Sequence, residues 1–399
     1  MTLMQHWHLA RRYRFVGIPS GLHQDPTRRN LALILSDVPA RAAGAFTQNR
    51  VKAAPVHVCQ ERLPREDARG VVICAGNANA CTGEQGLADA RRMTELTAEQ
   101  IDCDPAQILV CSTGIIGRHL PMDKIEPGIR TASQTLGRTP EHLQHCAEAI
   151  LTTDTRIKVA TRQLDVNGQA TRITGIAKGA AMIGPNMATM LAFVLTDASI
   201  SAESLQAIAR RSSAVTFNCA RVEGHTSTND TLLLFANGDG EPLANQQLHQ
   251  MESAICDVCD ELARAIVADA EGAEHLITVE VEGARDDAEA RRIAITVADS
   301  ALVKTAVFGA DPNWGRIVSA AGYAGVPFEE SQLSLWLGDV LLYDHGAPQA
   351  FDEETASAYL KKNREVTLRL RLTLGSGRAT IWTSDLTYEY VKLNAEYTT

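Results

Sequence analysis

Three short apolar runs constrain the fold of this chain more than any other feature: Val71-Val72-Ile73-Cys74, Ile108-Leu109-Val110-Cys111, and Met190 to Leu195. Each is rich in branched side chains and too short for a helix, so each reads as a buried strand. The first two run straight into small, glycine-bearing loops, Ala75-Gly76-Asn77-Ala78-Asn79-Ala80 and Ser112-Thr113-Gly114. The third is preceded by such a loop, Gly184-Pro185-Asn186-Met187-Ala188. Loops held by rigid strands are where binding chemistry usually sits.

Helices are predicted between the strands. Over Thr139 to Ile150, Thr139 can cap the first turn, Pro140 suits the first helical position, and Leu143, Ala147, Ile150 and Leu151 form one apolar stripe. A second helix is predicted over about Met251 to Ala268, with Ile255, Cys259, Leu262 and Ile266 on its buried side. The chain to about Gly272 is therefore mixed α and β. Further on, Val366, Leu368, Leu370, Leu372 and Leu374 alternate with Thr367, Arg369, Arg371 and Thr373, the two-residue period of a strand with one wet face. Gly375-Ser376-Gly377 then predicts a hairpin turn into a second strand near Ala379 to Thr383.

A chain of 399 residues exceeds one ordinary core. The polar stretch Asp286, Asp287, Glu289 after the strand Ile277 to Val281 places a boundary in the neighbourhood of 275 to 290. Two domains are expected, 1–280 and a smaller α/β domain, 281–399. Acids outnumber bases 48 to 38 and the formal charge is −10, spread along the chain, which argues against nucleic acid as a partner. The longest uncharged stretch, Gly179 to Thr196, is broken by Pro185 and Asn186, so no membrane span is expected. Nine scattered cysteines and no secretory signal fit reduced thiols in a cytoplasmic protein. Arg11, Arg12 and Arg14 lend the first residues a trace of transit-peptide character, against which Gly17-Ile18-Pro19-Ser20-Gly21 already reads as turn chemistry of a folded domain.

Several constellations carry a bland reading. Cys256 and Cys259 form a lone Cys-x-x-Cys without a second pair, so core packing is expected and no metal site. His142, His145 and Cys146 lack the glutamate of a zinc-binding helix, and the two histidines are expected on a solvated face. His225, Ser227 and Asp230 lie too close in sequence to converge as a hydrolase triad, so a polar loop is expected. Gly375-Ser376-Gly377-Arg378 lacks the strand-loop-helix setting of a phosphate cradle, and no nucleotide cofactor is expected. Thr189 stands at the mouth of a buried strand, inside the uncharged stretch that follows Lys178. By spacing alone, a threonine there is ordinarily structural.

The segment Lys178-Gly179-Ala180-Ala181-Met182-Ile183-Gly184-Pro185-Asn186-Met187-Ala188-Thr189-Met190-Leu191 resembles the self-processing segment of the ornithine acetyltransferase, or glutamate N-acetyltransferase, family. Other matches follow in the same order: Ser36 to Ala40, Asn49 to Pro55, Gly76 to Gly83, Ser112 to Gly117, Thr226-Ser227-Thr228-Asn229-Asp230-Thr231, Asp311-Pro312-Asn313-Trp314-Gly315-Arg316, and Asp385 to Tyr397. The resemblance runs from about Gly17 to Thr399.

It implies a layered α/β sandwich of the N-terminal-nucleophile kind followed by the smaller α/β domain. It implies self-cleavage between Ala188 and Thr189, after which the freed Thr189 carries an acetyl group from N-acetylornithine to glutamate by ping-pong kinetics. A threonine hydroxyl needs a nearby base, and the new α-amine, with a reference pKa of roughly 7.7–8.0, is one. The resemblance places the oxyanion hole at the Thr113 hydroxyl and the Gly114 N–H, and substrate contacts at Thr152, Lys178, Thr189, Glu271, Asn394 and Thr399. Glu271 could alternatively do no more than end its helix. No cofactor is implied, acetyl-CoA being a second donor in bifunctional members. Two 1–188 and two 189–399 chains form the family's usual assembly. The family's usual Gly-Glu-Gly-Ala-Thr-Lys is here Ala270-Glu271-Gly272-Ala273-Glu274-His275, and Cys74-Ala75 stands where Asn-Ser is common. The rival readings are a related self-processing aminopeptidase, which passes its acyl group to water, and a binding protein that never matures.

Overall fold

The computed structural model describes residues 7–166, 168–184 and 190–396. The chain forms two compact units. Among the described residues, one holds those up to Asn218 together with Thr226–Ile266, and the other holds Cys219–His225 and Val267 to Glu396.

The first unit is built on β1 (Tyr13–Ile18), β2 (Leu31–Phe46), β3 (Arg65–Asn77), β4 (Ile108–Ile115), β5 (Lys158–Val166), β6 (Gln169–Lys178), β7 (Leu191–Thr196) and β8 (Thr231–Ala236). The strand order is β4-β3-β2-β8-β7-β6-β5, with β1 also on β2. Strand β2 is long enough to serve two neighbours. Its Leu31–Leu35 stretch pairs with β3 and its Arg41–Phe46 stretch with β8, across an irregularity between Leu35 and Ala40. The sheet thereby folds back on itself. Ile34, Val71, Ile73, Leu109 and Cys111 of one half share a core with Ile176, Leu191, Phe193, Leu195, Leu233 and Phe235 of the other.

Among the described residues, the helices of this part of the chain are α1 (Ala54–Arg62), α2 (Gly83–Glu99), α3 (Met122–Gln134), α4 (Pro140–Ala149), α5 (Ala202–Val215) and α6 (Asn245–Ala268). The alternate residues Val72, Cys74, Ile108 and Val110 face a second core, against Val58 of α1, Met93 and Leu96 of α2, and Ile125 and Ile129 of α3. Burial on both faces is why these strands carry no polar alternation. Helix α6 presses on β6 so closely that a Cβ at Gly175 would lie 2.5 Å from Val258 and 2.9 Å from Leu262. The result is the layered α/β sandwich expected from the sequence.

Helix α4 begins at Pro140 and buries Leu143, Ala147 and Ile150 as predicted, but Thr139 does not cap it. The Thr139 hydroxyl instead pairs with His142 Nδ1 at 2.6 Å. His142 also lies over Gly137, where a Cβ would meet its ring, so both helix histidines are half-buried rather than solvated.

The second unit contains β9 (Leu276–Ala284), β10 (Leu333–Leu337), β11 (Val340–Asp344), β12 (Ala347–Pro348), β13 (Glu365–Leu372) and β14 (Gly377–Ser384). Its helices are α7 (Asp287–Asp299), α8 (Ala301–Phe308), α9 (Trp314–Gly322), α10 (Glu353–Lys362) and α11 (Tyr388–Glu396). Val366, Leu368, Leu370 and Leu372 are buried, and Arg369 spreads over the ring of Trp336. The hairpin expectation fails. The order is β12-β11-β10-β13-β9-β14, so β9 lies between the two strands, parallel to β13 and antiparallel to β14. The glycine turn crosses the end of β9 rather than folding one strand on the next. Leu374 and Gly375 both donate their N–H to the Gly283 carbonyl. Gly283 has φ +78°, and a Cβ there would sit 1.9 Å from the Leu372 carbonyl oxygen.

Candidate active site

The residues expected at the site in the first unit gather where several strands end. Lys178 closes β6 and stands abreast of Leu191 on β7, which pairs in turn with Thr231 on β8. On the other half of the sheet, Thr113 of β4 stands beside Ala75 of β3, and Gly114 beside Gly76. Gly114 has φ +131°, and a Cβ there would lie 2.3 Å from the Gly76 carbonyl carbon, so only glycine lets the two strand ends approach this closely.

Lys178 joins the two halves. Its side chain is 2% exposed, and Nζ donates to Thr152 Oγ1 at 2.7 Å and to Thr113 Oγ1 at 3.3 Å. Behind it stands Asp154, a carboxylate fully removed from solvent. Asp154 accepts from Lys158 Nζ at 2.6 Å and from the Gly179 and Thr152 amides at 2.6 and 3.1 Å, and it lies 3.8 Å from Lys178 Nζ. Burial alone would push its pKa up. The Lys178 and Lys158 ammonium groups, with the bonds from Lys158 and Gly179, outweigh that and hold it well below the usual carboxylate range. Two buried cations thus share one buried anion.

The loop that leads into β8 binds these strand ends together. Asn229 Nδ2 donates to the carbonyls of Ala78 and Ser112, at 2.7 and 2.8 Å. Thr47 Oγ1 reaches the Ser227 carbonyl at 2.7 Å, and the Ala53 amide reaches the Thr228 carbonyl at 2.9 Å. Asp230, next in the loop, is 0% exposed and accepts from the Met190 amide at 3.2 Å through Oδ1. The segment is the polar loop expected, and its residues Ser227 to Asp230 are buried.

The second unit pairs Glu271 with Asn394, whose Nδ2 donates to Glu271 Oε2 at 3.0 Å and to the Tyr390 carbonyl at 3.0 Å. The neighbouring His275 turns to structural work. Its Nδ1 meets Asp385 Oδ2 at 2.7 Å and its Nε2 the Leu360 carbonyl at 3.0 Å, while Asp385 Oδ1 accepts the backbone amides of Glu274 and His275. Ala188, Thr189 and Thr399 lie outside the described residues.

Of the residues expected at the site, then, the structure brings Thr113, Gly114, Thr152 and Lys178 together in one unit, and Glu271 with Asn394 in the other. Asp154, Asn229 and Asp230 were missed. Asp154 follows Thr152 by two positions, and Asn229-Asp230 lay within a segment already matched to the family, but burial is what marks them. Cys259 is buried in its helix, and burial with neighbouring acids pushes the Cys256 thiol up to about 11. Among the described residues, no group of three histidines, cysteines or acids is placed to hold a metal, and no helix is long and apolar enough to cross a membrane.

Comparison with known proteins decides the family, because the model of the ArgJ family matches residues 14–399. The chain belongs to the ArgJ family. It is 46% identical to arginine biosynthesis bifunctional protein ArgJ 1 of Nostoc sp., over 97% of this chain and 96% of that one. It is equally identical to the ArgJ protein of Geobacter sulfurreducens, over 97% and 99%. Among solved structures it is similar to the ArgJ protein of Bacillus halodurans, at 40% identity and a TM-score of 0.50, with 51% of this chain covering 98% of that one. As an ArgJ protein the chain is a glutamate N-acetyltransferase, an acyltransferase of arginine biosynthesis.

Proposed function

We propose that this ArgJ protein cuts itself between Ala188 and Thr189 and then carries acetyl from N-acetylornithine to glutamate on the Thr189 hydroxyl. The observation that carries the reading is the buried contact of Lys178 Nζ with both Thr113 Oγ1 and Thr152 Oγ1, at the sheet end from which β7 starts. Three residues expected at the site from distant parts of the chain meet there. The half-length match to the Bacillus chain supports a split near the middle, since about half of this chain spans nearly all of that one.

In this reading the Thr189 hydroxyl attacks the Ala188 carbonyl and the resulting ester hydrolyses, leaving chains 1–188 and 189–399. The exposed α-amine then serves as the base for acetyl transfer. The Thr113 hydroxyl and the Gly114 N–H hold the oxyanion, where losing one donor typically costs about a hundred- to thousandfold in rate. Lys178 suits the substrate carboxylate and Glu271 an ammonium, with Thr152, Asn394 and Thr399 supplying polar contacts. The reaction calls on no cofactor. Acetyl-CoA enters as a second donor, a reading supported by the relatives named bifunctional. The mature enzyme is two 1–188 and two 189–399 chains, a composition native mass spectrometry checks.

Intact-mass measurement tests the central step. Wild type should yield two chains starting at residues 1 and 189, and Thr189→Ala should stay whole. Wild type remaining whole in an active preparation overturns the reading. Assay of acetyl transfer to glutamate beside peptide hydrolysis separates it from a self-processing aminopeptidase.

A further inference from the structure

Asp230 has no part in the mechanism above, yet its position is unusual. The carboxylic acid is 0% exposed, and its Oδ2 is buried with no hydrogen-bond partner among the described residues. Its other oxygen accepts the Met190 amide at 3.2 Å. Holding that amide does not require an acid, because the carbonyl of an asparagine would do it without burying an ionisable group. An unpartnered buried polar atom is costly, and such costs in a folded protein call for an account.

The bonded amide is the one that joins Thr189 to Met190. Covalent geometry keeps the nitrogen and the hydroxyl oxygen of residue 189 within roughly 5 Å of it. By covalent reach alone, the Met190 amide that Asp230 holds is separated by one residue from the bond proposed to be cut. We propose that Asp230 is the proton carrier of self-cleavage, an inference that rests on Thr189 being the nucleophile. As the hydroxyl oxygen bonds to the Ala188 carbonyl carbon and the Ala188–Thr189 C–N bond breaks, the Asp230 acid gives its proton to the departing nitrogen. It recovers a proton from the attacking hydroxyl, so no proton is gained or lost. Water then splits the ester and leaves the Ala188 carboxylate.

The surroundings keep Asp230 in the form this step needs. Burial pushes its pKa well above the carboxylate range, against the Met190 amide, the Ser227 hydroxyl and the Lys178 ammonium. Among the described residues, Lys178 on β6 is the charged group that acts on it, and Asp154 stands behind Lys178. A carboxyl whose pKa is raised in this way is better suited to donate a proton than an ordinary one.

The test follows the splitting of freshly translated full-length chains by mass, for wild type, Thr189→Ala and Asp230→Asn. Asp230→Asn keeps the shape and an acceptor for Met190 but passes no proton. It should split at least about a hundredfold more slowly than wild type, within the range one positioned acid or base contributes, and melt within a few degrees of the Thr189→Ala precursor. Splitting within threefold of wild type overturns the proposal while leaving Thr189 as the nucleophile. If wild type and Thr189→Ala both stay whole, the underlying reading fails instead. Should Asp230→Asn not fold, the wild-type rate decides: it should fall on the alkaline side as the acid ionises, and a rate that is flat or rising from pH 6 to 9 overturns the role.

Discussion

Asp154 shows how much one buried side chain can organise. It has two ammonium groups within reach, and Lys178 reaches Thr113 and Thr152 from the position Asp154 helps to set. Asp154→Asn should cost roughly 3–5 kcal/mol, because removing one partner of a buried ionic cluster leaves uncompensated charge. In the folded remainder, KM for N-acetylornithine should rise more than kcat falls, since Lys178 is read as a carboxylate holder. Chemical denaturation and steady-state kinetics check both parts. The pH dependence has a definite sign. Because the folded pKa is depressed, the stabilisation is present above the unfolded value of about 3.9 and is lost as pH falls through the lower folded value. Acid titration of the wild type against Asp154→Asn should therefore converge only in strong acid.

At the scale of elements, the site depends on strand ends that meet from separate parts of the chain. The loop before β8 supplies the fastening, and Asn229 is its central tie, one amide serving the Ala78 carbonyl just past β3 and the Ser112 carbonyl within β4. Asn229→Ala should leave two buried carbonyls without that donor, at about 1–3 kcal/mol each. A lowered melting temperature should accompany a lower kcat, as the Thr113-Gly114 turn loosens from its neighbour. An unchanged melting temperature would mean that the loop is not the fastening described here. Strand β9 makes the same point in the second unit. Alternation and a glycine turn identify β13 and β14, but nothing local to them says that a strand from much earlier in the chain lies between.

At the scale of the whole molecule, the ArgJ chain forms two units, and the second contains His275 where the resemblance leads one to expect lysine. The Asp385 carboxylate, against the effect of burial, raises the His275 pKa, with the Leu360 carbonyl adding to it. Since the folded value is raised, this stabilisation is fully present below about pH 6.5 and is lost as pH rises through the folded pKa. Melting temperature should fall by a few degrees above neutrality in wild type, less so in His275→Lys, and His275→Gln should flatten the dependence. Calorimetry across pH 6 to 9 checks this. What the sequence by itself determined was the α/β character and the buried strands, because periodicity and glycine loops are local and linear, while resemblance to a family is what nominated Thr113, Gly114, Thr152 and Lys178 for the site. Only the tertiary structure decided which strand edges meet, that His275 serves packing, and that Asp154, Asn229 and Asp230 are buried beside the site. Hydrogen-bond partners and desolvation arise between segments far apart in the chain, and no single segment encodes them.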